Sequence, residues 1–330
     1  QFTDFTQTAN QGNYIILTHT KLSQIVDGID QVERYRQYRS SAAGGSYNVI
    51  VVNIEELYDQ FAWGIEKHPM AIRNFINYAF ANQTQDPEYL LLLGKSVGYS
   101  YFKLTDSGIL GYNQCLVPSY GSVASDEMLG AAYLASFTPR VAIGRLPMRT
   151  GNDVKIYLDK LITYEANNDP TTCSKADRLW MKDALHIAGG YSLAESNEFL
   201  SNLDAYKTIY QDTSFAGRVV LTYNKLSEQS ISDADLKTYI ENGLGIITFF
   251  GHSSGEVLNV DINDPSIYNN QDRYPFVVTG SCSVGDVHNY YNAPTTLPER
   301  YVMIPNKGSI GWLGSASIGF PTYLYAYLSR

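Results

Sequence analysis

Cys282 closes an apolar run in "YPFVVTGSCSVGD" (residues 274–286), and His252 closes another in "ITFFGHSSGE", 30 residues earlier. A thiolate attacks carbonyl carbon readily, and an imidazole beside it can lower the thiol pKa or protonate a leaving amine. If the two runs are neighbouring strands, thiol and imidazole open into one crevice, because ligands of open parallel sheets bind beyond the carboxyl ends of the strands. The small residues placed there, Gly251, Ser253 and Ser281, let a ligand or a second backbone approach closely. The amides of Cys282 and Ser253 are the candidate donors to an oxyanion, each such donor worth roughly 3 kcal/mol in the barrier. Plainer roles compete: a small packing residue for Cys282, and a partner of a loop carbonyl for His252.

Other side chains carry weaker signals. Asp261, Asp264, Asp286 and His288 could offer oxygen or nitrogen to a metal, a structural calcium being the candidate, although "DINDP" reads equally well as an Asx-type turn. Trp312, in "WLGSASIGF", offers a flat apolar face to a substrate cleft or simply fills the core. Tyr101 and Phe102 fall in a strand-end loop and could line the same groove. Of the remaining cysteines, Cys115 and Cys173 are either bonded to each other or free.

Such chemistry needs a sheet to hold it. "YIILT" (14–18), "YNVIVVNI" (47–54), "YLLLLG" (89–94) and "RVAIGRL" (140–146) are apolar β runs, separated by helical patterns such as "VERYRQYRSSAAGG", closed by Gly44 and Gly45, and "PMAIRNFINYAFAN". After a helix over 151–165, the polar "ANNDPTTCSKADR" suits a boundary, and the rhythm restarts. "DALHIAGGY", "VVLTY", "LGIITFFGHSS", "YPFVVTGSCS" and "GSIGWLGSAS" read as strands, and "LAESNEFLSNLDAYK" and "SISDADLKTYIENG" as helices. The second helix would start near Ser230 or Ser232 and end at Gly243. Strand alternating with helix predicts α/β architecture with mostly parallel sheets, in an N-terminal subdomain over 1–170 and a C-terminal subdomain over 171–330.

Composition agrees with a folded chain: 330 residues, 44% hydrophobic and 17% charged. The net charge of −9 offers no general attraction to nucleic acid or anionic lipid. The 27 tyrosines and the many Asn, Gln, Ser and Thr lean towards an exported protein. No run of about 18 apolar residues is present to span a bilayer, and the stretch is expected to be an excised or processed soluble portion of a protein.

An apolar run ending in Gly251-His252, followed by one ending in Cys282, resembles the clan of cysteine peptidases that contains caspases, legumains, separases and gingipains. "YLLLLG", "VPSYGSVASDEMLG", "VAIGRLPMRTGNDVKIYLDKLITYE" and "PNKGSIGWLGSAS" resemble gingipain-family blocks in the same order, from about Tyr14 to Leu328. "YNVIVVNIEELYDQFAWGIEKHPMAIRNFINYA" is most similar to the PorU-like sortase branch of the type IX secretion system of Bacteroidetes. The resemblance implies a caspase-like fold of two side-by-side three-layer α/β subdomains, Cys282 as nucleophile and His252 as acid/base. It implies that no cofactor is required. It also implies a cell-surface, outer-membrane-associated or periplasmic location, with outer-membrane secretion components as possible partners. The substrates would be exported cargo proteins with C-terminal signals, and the acyl acceptor an amine such as that of surface lipopolysaccharide. An ordinary endopeptidase, or an inactive assembly subunit with the same fold, is the alternative. Asp126 falls where the family tends to carry an acidic residue and so becomes the candidate to orient His252, with Glu256 second. Asp126 could equally cap a helix over "DEMLGAAYLAS". One departure stands out: Ser253 follows His252 where the family usually has Gly, and its Cβ restricts the loop.

Overall fold

The computed structural model describes residues 2–102, 108–133, 137–224, 226, 233–290 and 294–329. They fall into two compact units, Gln1–Leu158 with Val287–Asn292, and Asp159–Asp286 with Ala293–Arg330.

In the first unit, β1 (Tyr14–Thr18) leads to a small hairpin of β2 (Ile25–Val26) and β3 (Ile29–Asp30), then α1 (Gln31–Ser40) and β4 (Val49–Asn53). Helices α2 (Ile54–Phe61) and α3 (Met70–Asn82) precede β5 (Tyr89–Leu93), and the short α4 (Tyr99–Phe102) and α5 (Gly108–Gln114) precede β6 (Ala142–Leu146). The sheet is parallel, in the order β4-β1-β5-β6. Its order accounts for the sequence patterns. The inner strands β1 and β5 are buried at every position after their first, whereas the edge strands β4 and β6 carry exposed positions.

Helix α6 (Gly151–Ala166) carries the chain into the second unit. There β7 (Asp183–Ala188), α7 (Leu193–Tyr210), β8 (Arg218–Asn224), α8 (Asp233–Asn242), β9 (Ile246–Phe250), β10 (Phe276–Gly280), α9 (Leu297–Met303), β11 (Gly311–Gly314) and α10 (Pro321–Leu328) follow in turn. All five strands are parallel, in the order β11-β10-β9-β7-β8. Leu185, Ile187, Ile247, Phe249 and Val277 anchor the core on one face of this sheet. The expected α/β fold with mostly parallel sheets is therefore the one that forms.

Two helix expectations change in detail. The stretch from Asp126 makes only a 3-10 turn, Glu127–Leu129, and Asp126 caps nothing, because its carboxylate is taken by Arg145. Helix α1 stops at Ser40, and a separate 3-10 turn over Ala42–Gly44 leads to Gly45 in a left-handed conformation at φ 108°. Ser230 and Ser232 lie outside the described residues.

Lys160, on α6, is 2% exposed. Its Nζ donates to the carbonyls of Tyr301, Val302, Ile304 and Lys307 at 3.2, 3.0, 3.3 and 2.7 Å. Three of these belong to the end of α9 or the residue that follows it, where no intrahelical donor reaches. Lys160→Ala would leave buried acceptors unmet, and is expected to cost about 3 kcal/mol in urea unfolding. A midpoint equal to that of the wild type would show that the four bonds contribute nothing net.

Candidate active site

The second unit's sheet order brings the two chemical loops to one edge. Strands β9 and β10 pair in parallel, with Phe250 opposite Gly280, so His252 and Cys282 each stand two residues beyond a paired position. The Gly251 amide donates to the Gly280 carbonyl at 3.2 Å and extends the ladder by one residue. The Ser253 hydroxyl donates to the Cys282 carbonyl at 2.5 Å, tying the loops directly. Gly251 cannot be larger, since a Cβ there would lie 2.8 Å from the Gly189 Cα, at the end of the neighbouring strand β7.

Cys282 is partly exposed, and its sulfur lies between the amide and the carbonyl of Gly319, at 3.4 and 3.5 Å. The following turn is laced to the same segment: Ser283 N donates to Ser317 O at 2.8 Å and Gly285 N to Ser315 O at 2.9 Å. The amides of Cys282 and Ser253 donate to no other group among the described residues.

His252 is held from three sides. Its Nε2 meets Glu195 Oε1 at 2.7 Å, Tyr191 stacks on the ring with centroids 4.6 Å apart, and Phe199 packs edge-on at 5.7 Å. Glu195 sits in the first turn of α7, and its second oxygen accepts the Tyr191 amide at 2.7 Å. That amide, and then the imidazole, hold the Glu195 carboxyl below its usual pKa, so it is an anion at neutral pH. With Nε2 committed to a carboxylate, Nδ1 is the nitrogen left for proton transfer.

Glu195 was not foreseen in the sequence. Ser192 and Glu195 have the spacing of a helix start, and Ser192 does cap the Glu195 amide at 3.2 Å. The carboxylate's second task depends on β7 lying beside β9, a non-consecutive pairing that leaves no local mark in the chain.

The other candidates are placed as follows. Asp126 belongs to the first unit, where Arg145 Nε and Nη2 contact both its oxygens at 2.6 and 2.8 Å. Burial works to raise its pKa, but the guanidinium prevails and the carboxyl falls to about 2. The carboxylate on the imidazole is thus Glu195 and not Asp126 or Glu256. Ser281 is 1% exposed, with its side chain enclosed by protein. Trp312 lies on β11, bonds Thr279 Oγ1 through Nε1 at 3.3 Å and packs edge-on against Tyr301, in the manner of a core residue. Asp264 caps a 3-10 turn by accepting the Ser266 amide at 2.9 Å, as the Asx reading of "DINDP" expects. His288 is buried in the first unit against the Ser96 hydroxyl. Tyr101 packs on Tyr290, while the Phe102 side chain lies outside the described residues. Asp261 and Asp286 join no cluster of three potential ligands, and none occurs among the described residues. Cys115, Cys173 and Cys282 are free thiols, and burial raises the pKa of Cys115. Among the described residues, no helix is long and apolar enough to cross a membrane.

Two parallel sheets in α/β layers, with a thiol and an imidazole beyond adjacent strands of one of them, define a gingipain-like fold of the caspase-like class. The chain belongs to peptidase family C25, whose profile matches residues 7–330. Among solved structures it is similar to the Arg-specific cysteine proteinase gingipain R, with 15% identity and a TM-score of 0.64 over 97% of this chain and 66% of that one. It is also similar to the complex of pro- and mature domains of Porphyromonas gingivalis RgpB, with 15% identity and a TM-score of 0.64 over 96% and 69%. A further protease structure matches with 14% identity and a TM-score of 0.66 over 95% and 61%. At such identities the likeness shows the fold, and the chain spans about two thirds of the length of these neighbours. No curated protein matches the chain significantly.

Two measurements follow from this geometry. Iodoacetamide should alkylate Cys282 faster than Cys115, and His252→Ala should slow Cys282 alone; mass-spectrometric mapping that finds all three equally slow would remove the reactive thiol. For Asp126, the folded-state pKa is depressed, so its stabilisation is present above the ordinary carboxyl pKa and lost as pH falls towards 2. The stability difference between wild type and Asp126→Asn should shrink by about 2 kcal/mol from about pH 5 to about pH 2 in denaturant titrations.

Proposed function

We propose that this chain is a cysteine peptidase that works through an acyl-enzyme on Cys282, with His252 as acid/base and Glu195 fixing the imidazole. The observation that carries the reading is the Glu195–His252 pair set one strand away from Cys282. In the first step the thiol proton passes to His252 Nδ1, and the sulfur attacks the scissile carbonyl carbon. The free amides of Cys282 and Ser253 are the donors nearest to hand for the oxyanion. Collapse breaks the C–N bond, and the proton on Nδ1 leaves with the amine. The thioester is then attacked by water or by an amine, whose proton returns through Nδ1 to the sulfur.

The preferred version is sortase-type transfer: removal of C-terminal signals from cargo of a type IX secretion system and passage of the acyl group to a surface amine such as that of lipopolysaccharide. The resemblance of residues 47–79 to the PorU-like branch supports it, and it goes with an exported, cell-surface location. Water as the acceptor makes the same site an ordinary endopeptidase.

The test supplies a cargo carrying its C-terminal signal, with and without an amine acceptor, and weighs the products. An amide-linked product is expected, and a free carboxylate even at high amine would replace transfer with hydrolysis. Glu195→Ala should lower kcat by about a hundredfold, and Cys282→Ala should abolish turnover. An intact cargo under both conditions, with the wild-type chain folded, would leave the fold without the activity.

A further inference from the structure

Trp63 of the first unit is 83% exposed, and its backbone is left-handed at φ 54°, with Gly64 following at φ 75°. A bulky residue in that conformation costs on the order of 1 kcal/mol relative to glycine, and an indole so exposed returns little packing in exchange. Folding alone gives no reason for the ring. It stands at the rim of an open groove of about 470 Å³, formed where the end of α2 meets the outward face of α3.

The face of α3 that lines the groove is unusual in its chemistry. Asn74, Asn77 and Asn82 line it; Asn74 and Asn77, three residues apart, lie on the side of the helix away from the core stripe of Ile72, Phe75, Ile76 and Ala79, and Asn82 is the last residue of the helix. Asn is a weak helix former, so three in thirteen residues oppose the helix they sit in. Each spends its Nδ2 on a main-chain carbonyl. Asn74 donates to Phe61 O at 2.8 Å, Asn77 to Arg73 O at 2.8 Å and Ala131 O at 3.1 Å, and Asn82 to Tyr78 O at 2.8 Å. This fixes the amide planes. Asn74 Oδ1 accepts the Tyr133 hydroxyl at 3.0 Å, whereas Asn77 Oδ1 and Asn82 Oδ1 have no partner among the described residues. The Asp59 carboxylate, also on the groove, has none either.

A mostly uncharged groove with oriented acceptors, one carboxylate and an exposed indole matches a particular ligand chemistry. A pyranose offers hydroxyl donors in several directions and an apolar C–H face that lies flat on an aromatic ring. A lysine or arginine side chain would also satisfy acceptors and a ring face. It offers one charged end, whereas the acceptors here are spread over two helices, α2 and α3, and only one of them is charged. We propose that this groove is a carbohydrate-binding site, with Trp63 as the stacking platform and Asp59, Asn77 and Asn82 as acceptors of sugar hydroxyls. The groove is built from residues of the first unit, whereas Cys282 and His252 belong to the second, and the proposal does not depend on the function proposed for them.

The probe is a printed glycan array, overlaid with the fluorescently labelled full chain, with a poly-arginine peptide as the cationic comparison. The best-retained glycan is then titrated calorimetrically against wild type, Trp63→Ala, Trp63→Phe and Asp59→Asn. We expect at least one glycan to be retained, with affinity at least about tenfold weaker in Trp63→Ala and partly restored in Trp63→Phe. Thermal melting and the rate of Cys282 alkylation should be unchanged in these variants. No glycan retained above the buffer control, or retention indifferent to Trp63→Ala, overturns the proposal. So does retention of the poly-arginine peptide alone, lost in Asp59→Asn.

Discussion

The parallel pairing of β9 with β10 is the constraint on which the candidate active site rests. Side chains alternate across a strand, so a slip of one residue would turn every buried position of β10 to the other face. Ile247 and Phe249 on β9, and Val277 and Thr279 on β10, are buried and hold the register that sets Phe250 opposite Gly280. Two residues of loop then suffice to place an imidazole and a thiol at equivalent positions. The remaining contacts at this edge are adjustments to a spacing the sheet already imposes. The Gly251–Gly280 hydrogen bond lengthens the ladder, and the Ser253–Cys282 bond joins what lies beyond it.

Around His252 the packing suits the charged imidazole that the proposed mechanism requires. An imidazolium needs a counter-charge and faces that do not repel it, and both are present. Glu195 is an anion on Nε2, and the stacked Tyr191 ring offers a π face that favours a cation above it. Tyr191 also gives its amide to the same carboxylate, so one short turn before α7 supplies a ring, an anchor and the entry to the helix. The close approach of Gly189 to Gly251 is what allows that turn to lie against the histidine loop.

Much of this was legible in the chain and some was not, for reasons that can be named. Inner strands such as "YIILT" and "YLLLLG" announce themselves because burial on both faces demands unbroken apolar runs. Cys282 and His252 were recognisable because each ends such a run. Strand order carries no comparable local signature: β7 comes first in the second unit yet lies between β9 and β8. Glu195 stayed hidden for that reason, since the residue that meets His252 is 57 positions away on a helix whose start explains it adequately. Asp126 was a candidate to orient His252 only through the family resemblance of its block, and no local pattern showed that its carboxylate is taken by Arg145, which lies on β6 at the far side of a long loop.

The serine after His252 shows how the structure absorbs a departure from the family's usual glycine. Glycine would be required there if the backbone were left-handed, yet Ser253 is absent from the positive-φ residues, so its Cβ is accommodated without strain. The added hydroxyl then does something glycine could not, by donating to the carbonyl of Cys282. A peptide plane restrained through its oxygen is restrained throughout, including the amide of Ser283 on its other end, which donates to Ser317. Ser283 itself is left-handed at φ 55°, so the turn that presents the sulfur is held by bonds on both sides of a conformation that would otherwise be disfavoured. The substitution that looked like a liability therefore adds a brace to the loop bearing Cys282.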